Sequence, residues 1–192
     1  MPLIFACIAP HAGDLIPETI ADQNIVAPTR KSMYAMGSTL ESLKPETVVI
    51  INPHGFRVQG VLSVSVAERA TAYWASDVKL DFEMDPTIAN AIADKATEMN
   101  VPVVKYIYGA SSGPECFVPL DWGAVVPLYF MGHRFTPKPK IVHCSPMRTL
   151  PLATHYEFGR AIGRVLKESD KRIAVIASAD QGHAHDADGP YG

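Results

Sequence analysis

The chain has 192 residues, of which 47% are apolar, enough to enclose one sizeable core with little room for a second domain. Its 17 basic and 20 acidic residues give a net charge of −3 without any Lys/Arg-rich run, so the phosphate contacts that nucleic acid needs are missing. No stretch is long enough to span a membrane, and the N-terminus has no basic region before its short apolar run, so it reads as a first strand and not as a signal peptide.

In chain order, residues 3–9 form the first β-branched apolar run, followed by His11 in APHAG. Residues 29–43 place Met33, Met36, Leu40 and Leu43 at spacings of three and four, the buried face of a helix. A second apolar run, 47–52, leads into His54 in NPHG. A shorter strand is expected at 61–67. Asp85-Pro86 then opens a helix, with a capping carboxylate and a proline at its first position, and Ile88, Ile92, Ala96 and Met99 make its stripe. Strands follow at 101–107 and 140–144, separated by the Gly/Pro-rich segments 108–119 and 131–139, which read as loops. Thr154 and Glu157 form a capping box before Phe158, Ile162 and Val165, and a last apolar run covers 172–177.

The three main runs are continuous, as in strands covered on both faces. The expected fold is a single α/β domain with a central, mostly parallel or mixed sheet flanked by helices. Cys7, Cys116 and Cys144 are odd in number and widely spaced, which fits a reduced, cytoplasmic setting. Cys7 and Cys144 read as small core hydrophobes, and Cys116 has no evident base partner. No G-x-S-x-G elbow and no glycine-rich phosphate loop is present, so a nucleophilic hydrolase and a nucleotide cofactor are not indicated.

His11, His54 and His183 each follow a strand, and in an open α/β sheet the ligand crevice lies outside the strands' carboxyl ends. Topology therefore predicts that the three converge, with the residue type that most often serves as metal ligand or proton carrier. His133 and His155 read as ordinary loop residues and His143 as a satisfied core or edge residue. His185 and Asp186 read as loop residues or as partners of the ligands.

The segments APHAG, VVIINPHG, PLDWGAVVPLYFM, HYEFGRAIGRVL, IAVIASADQGH and DGPYG, in that order along the whole chain, resemble the class III extradiol ring-cleavage dioxygenases. The likeness is to the LigB type, the catalytic subunit of the protocatechuate 4,5-dioxygenase kind. The resemblance implies a non-haem Fe(II) held by two histidines and a carboxylate, acting on a catechol-like aromatic and O2. His11 and His54 match the two metal-ligating histidines and His183 the acid/base histidine. The family's carboxylate ligand lies well downstream of the DGPYG segment, so the third ligand is expected beyond Gly192, and the chain reads as a LigB-type domain lacking its C-terminal part. Asp14, Glu115 or Asp186 is the substitute if no such residue exists. Many members have Asp-His-Gly where this chain has Asp121-Trp122-Gly123, which makes Asp121 and Trp122 the substrate-binding candidates. Trp122 reads as a pocket-wall aromatic or as a stacking surface for the ring. The family forms dimers or mixed oligomers, which implies a second copy or a small partner subunit. Two alternatives stand beside this reading: a zinc enzyme built on His11, His54 and a third ligand, and a non-catalytic binding module that keeps the fold.

Overall fold

Strands without polar alternation need cover on both faces. In the computed structural model, which describes residues 2–19, 24, 26–74, 78–180 and 188, a six-stranded sheet lies between two layers that provide it. Strands β1 (Leu3–Ala9), β10 (Ile173–Ser178), β2 (Thr47–Ile51) and β9 (Lys140–Ser145) run side by side and parallel. Beside β9, β3 (Leu62–Ser65) runs antiparallel, and β6 (Val103–Tyr106) pairs parallel with β3 at the far edge. The single-domain α/β expectation holds, with a mixed central sheet.

Alternate residues of the central strands feed two cores. Val49, Val142 and Ile173 pack under helices α2 (Pro86–Glu98) and α4 (Leu152–Glu168), with Ile92, Phe158 and Ile162 from those helices. Val48, Ile50 and Ile176 face the other way, toward α1 (Ala27–Ser42) and α3 (Trp122–Leu128). Within α1, Met33 and Leu40 are fully buried, Met36 is partly buried, and Leu43 sits exposed at the C-cap.

That second layer also contains a second sheet that the sequence reading did not anticipate. It is ordered β5 (Val78–Glu83), β4 (Arg69–Trp74), β8 (Cys116–Pro119), β7 (Tyr108–Gly109). The segment 108–119 is therefore not a loop: it supplies β7 and β8, which pair antiparallel. Likewise 131–139 begins inside a buried π-helical turn, Tyr129–His133. In β5, Val78, Leu80 and Phe82 are buried and Lys79 and Glu83 exposed, the period-two pattern of a half-covered strand.

The capping box at Thr154 is not formed. Pro151 enters α4 from an extended conformation (ψ 146°), so the helix begins at Leu152 and Thr154 lies in its first turn. Glu157 pairs with Arg160 instead of reaching back. At α2 the expected cap is present: Asp85 accepts from the Ile88 N–H at 3.2 Å.

Asp85 is 2% exposed and also accepts from Thr47 Oγ1 at 2.8 Å and from Lys171 Nζ at 2.5 Å, joining α2 to the entries of β2 and β10. Burial alone would raise its pKa, but Lys171, Thr47 and the Ile88 N–H together hold the carboxyl below its ordinary value. With the folded value lowered, this contribution to stability is complete above the unfolded carboxylate pKa and is lost as pH falls through the folded one. Asp85→Asn is expected to cost about 2 kcal/mol at neutral pH, the worth of a cap and a charge-assisted hydrogen bond, since Lys171 is too exposed to count as a buried ion. Urea denaturation at a series of pH values should show the gap between variant and wild type closing below about pH 4.

Candidate functional site

Four parallel strands deliver their carboxyl ends to one edge of the sheet, where the chain must turn out of the hydrogen-bonded ladder. β1 ends level with β10, Ala9 opposite Ser178, and the next residues bring His11 over the edge. β2 gives way to Asn52-Pro53-His54, with the Asn52 N–H still donating to the Cys144 carbonyl at 2.8 Å. The two imidazoles meet there: Nε2 of His11 and Nε2 of His54 are 3.2 Å apart, and the rings stand edge to face at 87°.

The proton positions on His11 follow from its partners. Ser178 Oγ donates its one hydrogen to the Gly123 carbonyl at 2.5 Å, so toward His11 Nδ1, 2.9 Å away, it can only accept. Nδ1 of His11 therefore carries the proton and its Nε2 presents a lone pair toward His54. Burial, then the neighbouring His54, lowers the His11 pKa, with Asp180 and Asp121 acting against them. Burial also lowers that of His54; Asp121 opposes this, and Arg148 and Arg57 add to it. Both rings are thus neutral at ordinary pH, the state a metal ligand requires.

Two nitrogens each about 2.1 Å from a common ion lie about 3.0 Å apart at a right angle and about 3.4 Å apart at a tetrahedral one. The observed 3.2 Å falls between, so the histidine pair has the spacing of two ligands to one ion. Among the described residues there is no group of three or more His, Cys, Asp or Glu side chains placed to hold a metal, so neither Asp14 nor Glu115 completes the pair. His183, His185 and Asp186 lie outside the described residues.

Asp121 and Trp122 do reach the site. Trp122 is 42% exposed and lies against His54, ring centroids 4.5 Å apart at 38°. Asp121 has structural duties: it caps α3 through the Gly123 N–H at 2.8 Å and accepts from Asn52 Nδ2 at 3.0 and 3.1 Å. His143 is 1% exposed with both ring nitrogens engaged, by Asn52 and by Tyr106, and burial pushes its pKa well below the ordinary imidazole range. His133 and His155 lie away from the site, in the π-helical turn and the first turn of α4. The thiols of Cys7 and Cys144 are pushed up by burial to about 11 and about 12, in keeping with inert core residues.

Sequence reasoning passed over Asn52 and Ser178. Each is the polar residue that closes an otherwise apolar strand, at 0% and 7% exposure, and that placement was the available signal. Asp180, two residues past Ser178, acts electrostatically on both histidines and was not singled out either.

Fold and site together define an α/β chain with a paired-imidazole centre at the strand ends. The chain belongs to the LigB family, described as the catalytic LigB subunit of aromatic ring-opening dioxygenase, which it matches over residues 6–192. It is also similar to Protein CA_C1420 of Clostridium acetobutylicum, with 26% identity over 190 residues, covering 96% of this chain and 40% of that protein. The chain thus spans less than half the length of that curated relative. No helix among the described residues is long and apolar enough to cross a membrane.

A Cβ at Gly123 would meet Asn52 Oδ1, Asp121 Oδ1 and His54 Cδ2 together. Gly123→Ala is expected to cost about 1–3 kcal/mol, since none of these atoms is the free end of a flexible chain. It should also displace the His54 ring, read as a shift of the His54 side-chain NMR signals against an unchanged His155.

Proposed function

We propose that this chain carries the catalytic site of a non-haem Fe(II) extradiol dioxygenase that opens the ring of a catechol-like aromatic with O2. The carrying observation is the convergence of the His11 and His54 Nε2 atoms at the strand ends of a LigB-family chain. His11 and His54 would hold the metal, with a carboxylate from outside the described residues as third ligand. Iron so held supplies open positions for substrate and dioxygen and mediates electron transfer between them.

The protein's own groups have separate tasks. Ser178 keeps the proton of His11 on Nδ1 and so leaves Nε2 available. Asn52 Oδ1 accepts from the His54 N–H at 3.0 Å and fixes the loop that presents the second imidazole. Trp122 offers an exposed indole beside His54 as one wall for an aromatic ring, and Asp121 anchors the turn that carries it. His183 is assigned the proton transfers, removing a proton from the substrate diol and returning one later. In the overall reaction the ring C–C bond beside the diol breaks and both atoms of O2 enter the product, an open-chain semialdehyde acid. A reduced, cytoplasmic compartment suits both Fe(II) and the three free cysteines, and a second copy or small partner subunit is part of the same reading.

Anaerobic reconstitution of the full-length protein with Fe(II), followed by oxygen uptake across a panel of catechols, tests this. His11→Ala and His54→Ala should each abolish iron retention. His183→Ala should keep iron and lose about 10²–10⁴-fold in turnover. A protein that takes up zinc alone, and consumes no oxygen with any catechol when loaded with iron, overturns the proposal in favour of a zinc site.

A further inference from the structure

The loop that carries His54 sits on two buried polar side chains, Tyr106 of β6 and His143 of β9. Asn52 is wholly buried, and its Oδ1 faces the His54 backbone N–H, which can only donate. This fixes the amide orientation: Nδ2 must point toward Asp121 and His143. Nδ2 has two hydrogens and no lone pair to offer. One hydrogen goes to the Asp121 carboxylate at 3.0 Å, and the other to His143 Nε2 at 3.0 Å. His143 Nε2 is therefore an acceptor, and the ring's single proton is on Nδ1, which donates to Tyr106 Oη at 2.9 Å.

Sterics bind the same loop to the same pair. A Cβ at Gly55 would strike Ser145 Oγ and then Cε1 and Nε2 of His143, so the backbone next to His54 rests on that ring and on the serine beside it. Phe56 stacks on Tyr106, centroids 4.5 Å apart at 24°, and its carbonyl accepts from Ser63 Oγ at 2.5 Å. Asn52, Gly55 and Phe56 are each held from below, and His54 is the residue left projecting.

We propose that His143, as the neutral imidazole protonated on Nδ1 and backed by Tyr106, is a positioning residue that seats the His54 loop through Asn52. Its consequence for metal affinity rests on the reading of His54 as a ligand; its hydrogen-bond assignment does not. A charged or Nε2-protonated ring would set donor against donor at Asn52 and release the amide. Glutamine at this place supplies an acceptor for Asn52 and a donor for Tyr106, whereas leucine supplies neither.

Long-range ¹H–¹⁵N correlation on the histidine-labelled full-length protein reads the tautomer without any substitution. Protonated Nδ1 and bare Nε2 at His143 support the proposal, and the reverse overturns it. Amide exchange at His54 should accelerate about tenfold in His143→Leu and stay near wild type in His143→Gln. Fe(II) affinity should fall about 10–100-fold in the first and be retained in the second. A folded His143→Leu protein with unchanged His54 exchange overturns the positioning role. If the tautomer and exchange results hold while the wild type binds no iron, the functional reading fails and the positioning role stands.

Discussion

One buried amide governs the site edge of the sheet. Asn52 has no solvent to fall back on, so its oxygen and both of its hydrogens must find protein partners, and each partner is thereby given a position. The oxygen takes the His54 backbone, and the two hydrogens take Asp121 and His143. Removing any one partner would leave a dry polar atom, which is why loop, helix start and strand interior are tied together and not merely adjacent. Asp85 does the equivalent work at the opposite edge, where its carboxylate joins a helix cap to two strand entries.

The first turn of α3 bridges the exits of β2, which leads to His54, and of β10, whose Ser178 holds the His11 that follows β1. On one side Asp121 meets Asn52 beyond β2; on the other the Gly123 carbonyl receives Ser178 from β10, which in turn holds His11. A short helix thus sets the separation of two imidazoles that belong to different strands. The second sheet packs into the same core as α3, through Ala70, Leu80 and Val118, and so backs this turn from behind.

The framework was legible where the chain obeys one strong rule. Continuous apolar runs marked β1, β2 and β10, and Asp85-Pro86 marked the start of α2, because burial on two faces and a capped proline each leave a local signature. The second sheet was passed over because β4 and β5 carry the fainter alternating pattern and β8 is only four residues long, between a turn-rich segment and the start of α3. Thr154 and Glu157 satisfied a capping pattern that tertiary context set aside, since Pro151 already fed the helix. For the site, strand-end placement brought His11 and His54 together on paper as in the fold. Apart from the local contact of Asn52 with the His54 N–H, the roles of Asn52, Ser178 and His143 depend on partners 37 to 167 residues away in sequence, and no local pattern encodes such a pairing.

Trp122 occupies the first position of α3, outside the hydrogen bonds that anchor that helix, which are made by its neighbours Asp121 and Gly123. Its side chain can therefore be exchanged without breaking the hydrogen bonds that place either imidazole, at the loss of its own ring contact with His54. The indole thus stands apart from the hydrogen-bonded scaffold: position 122 can change while the costly polar network behind it stays the same.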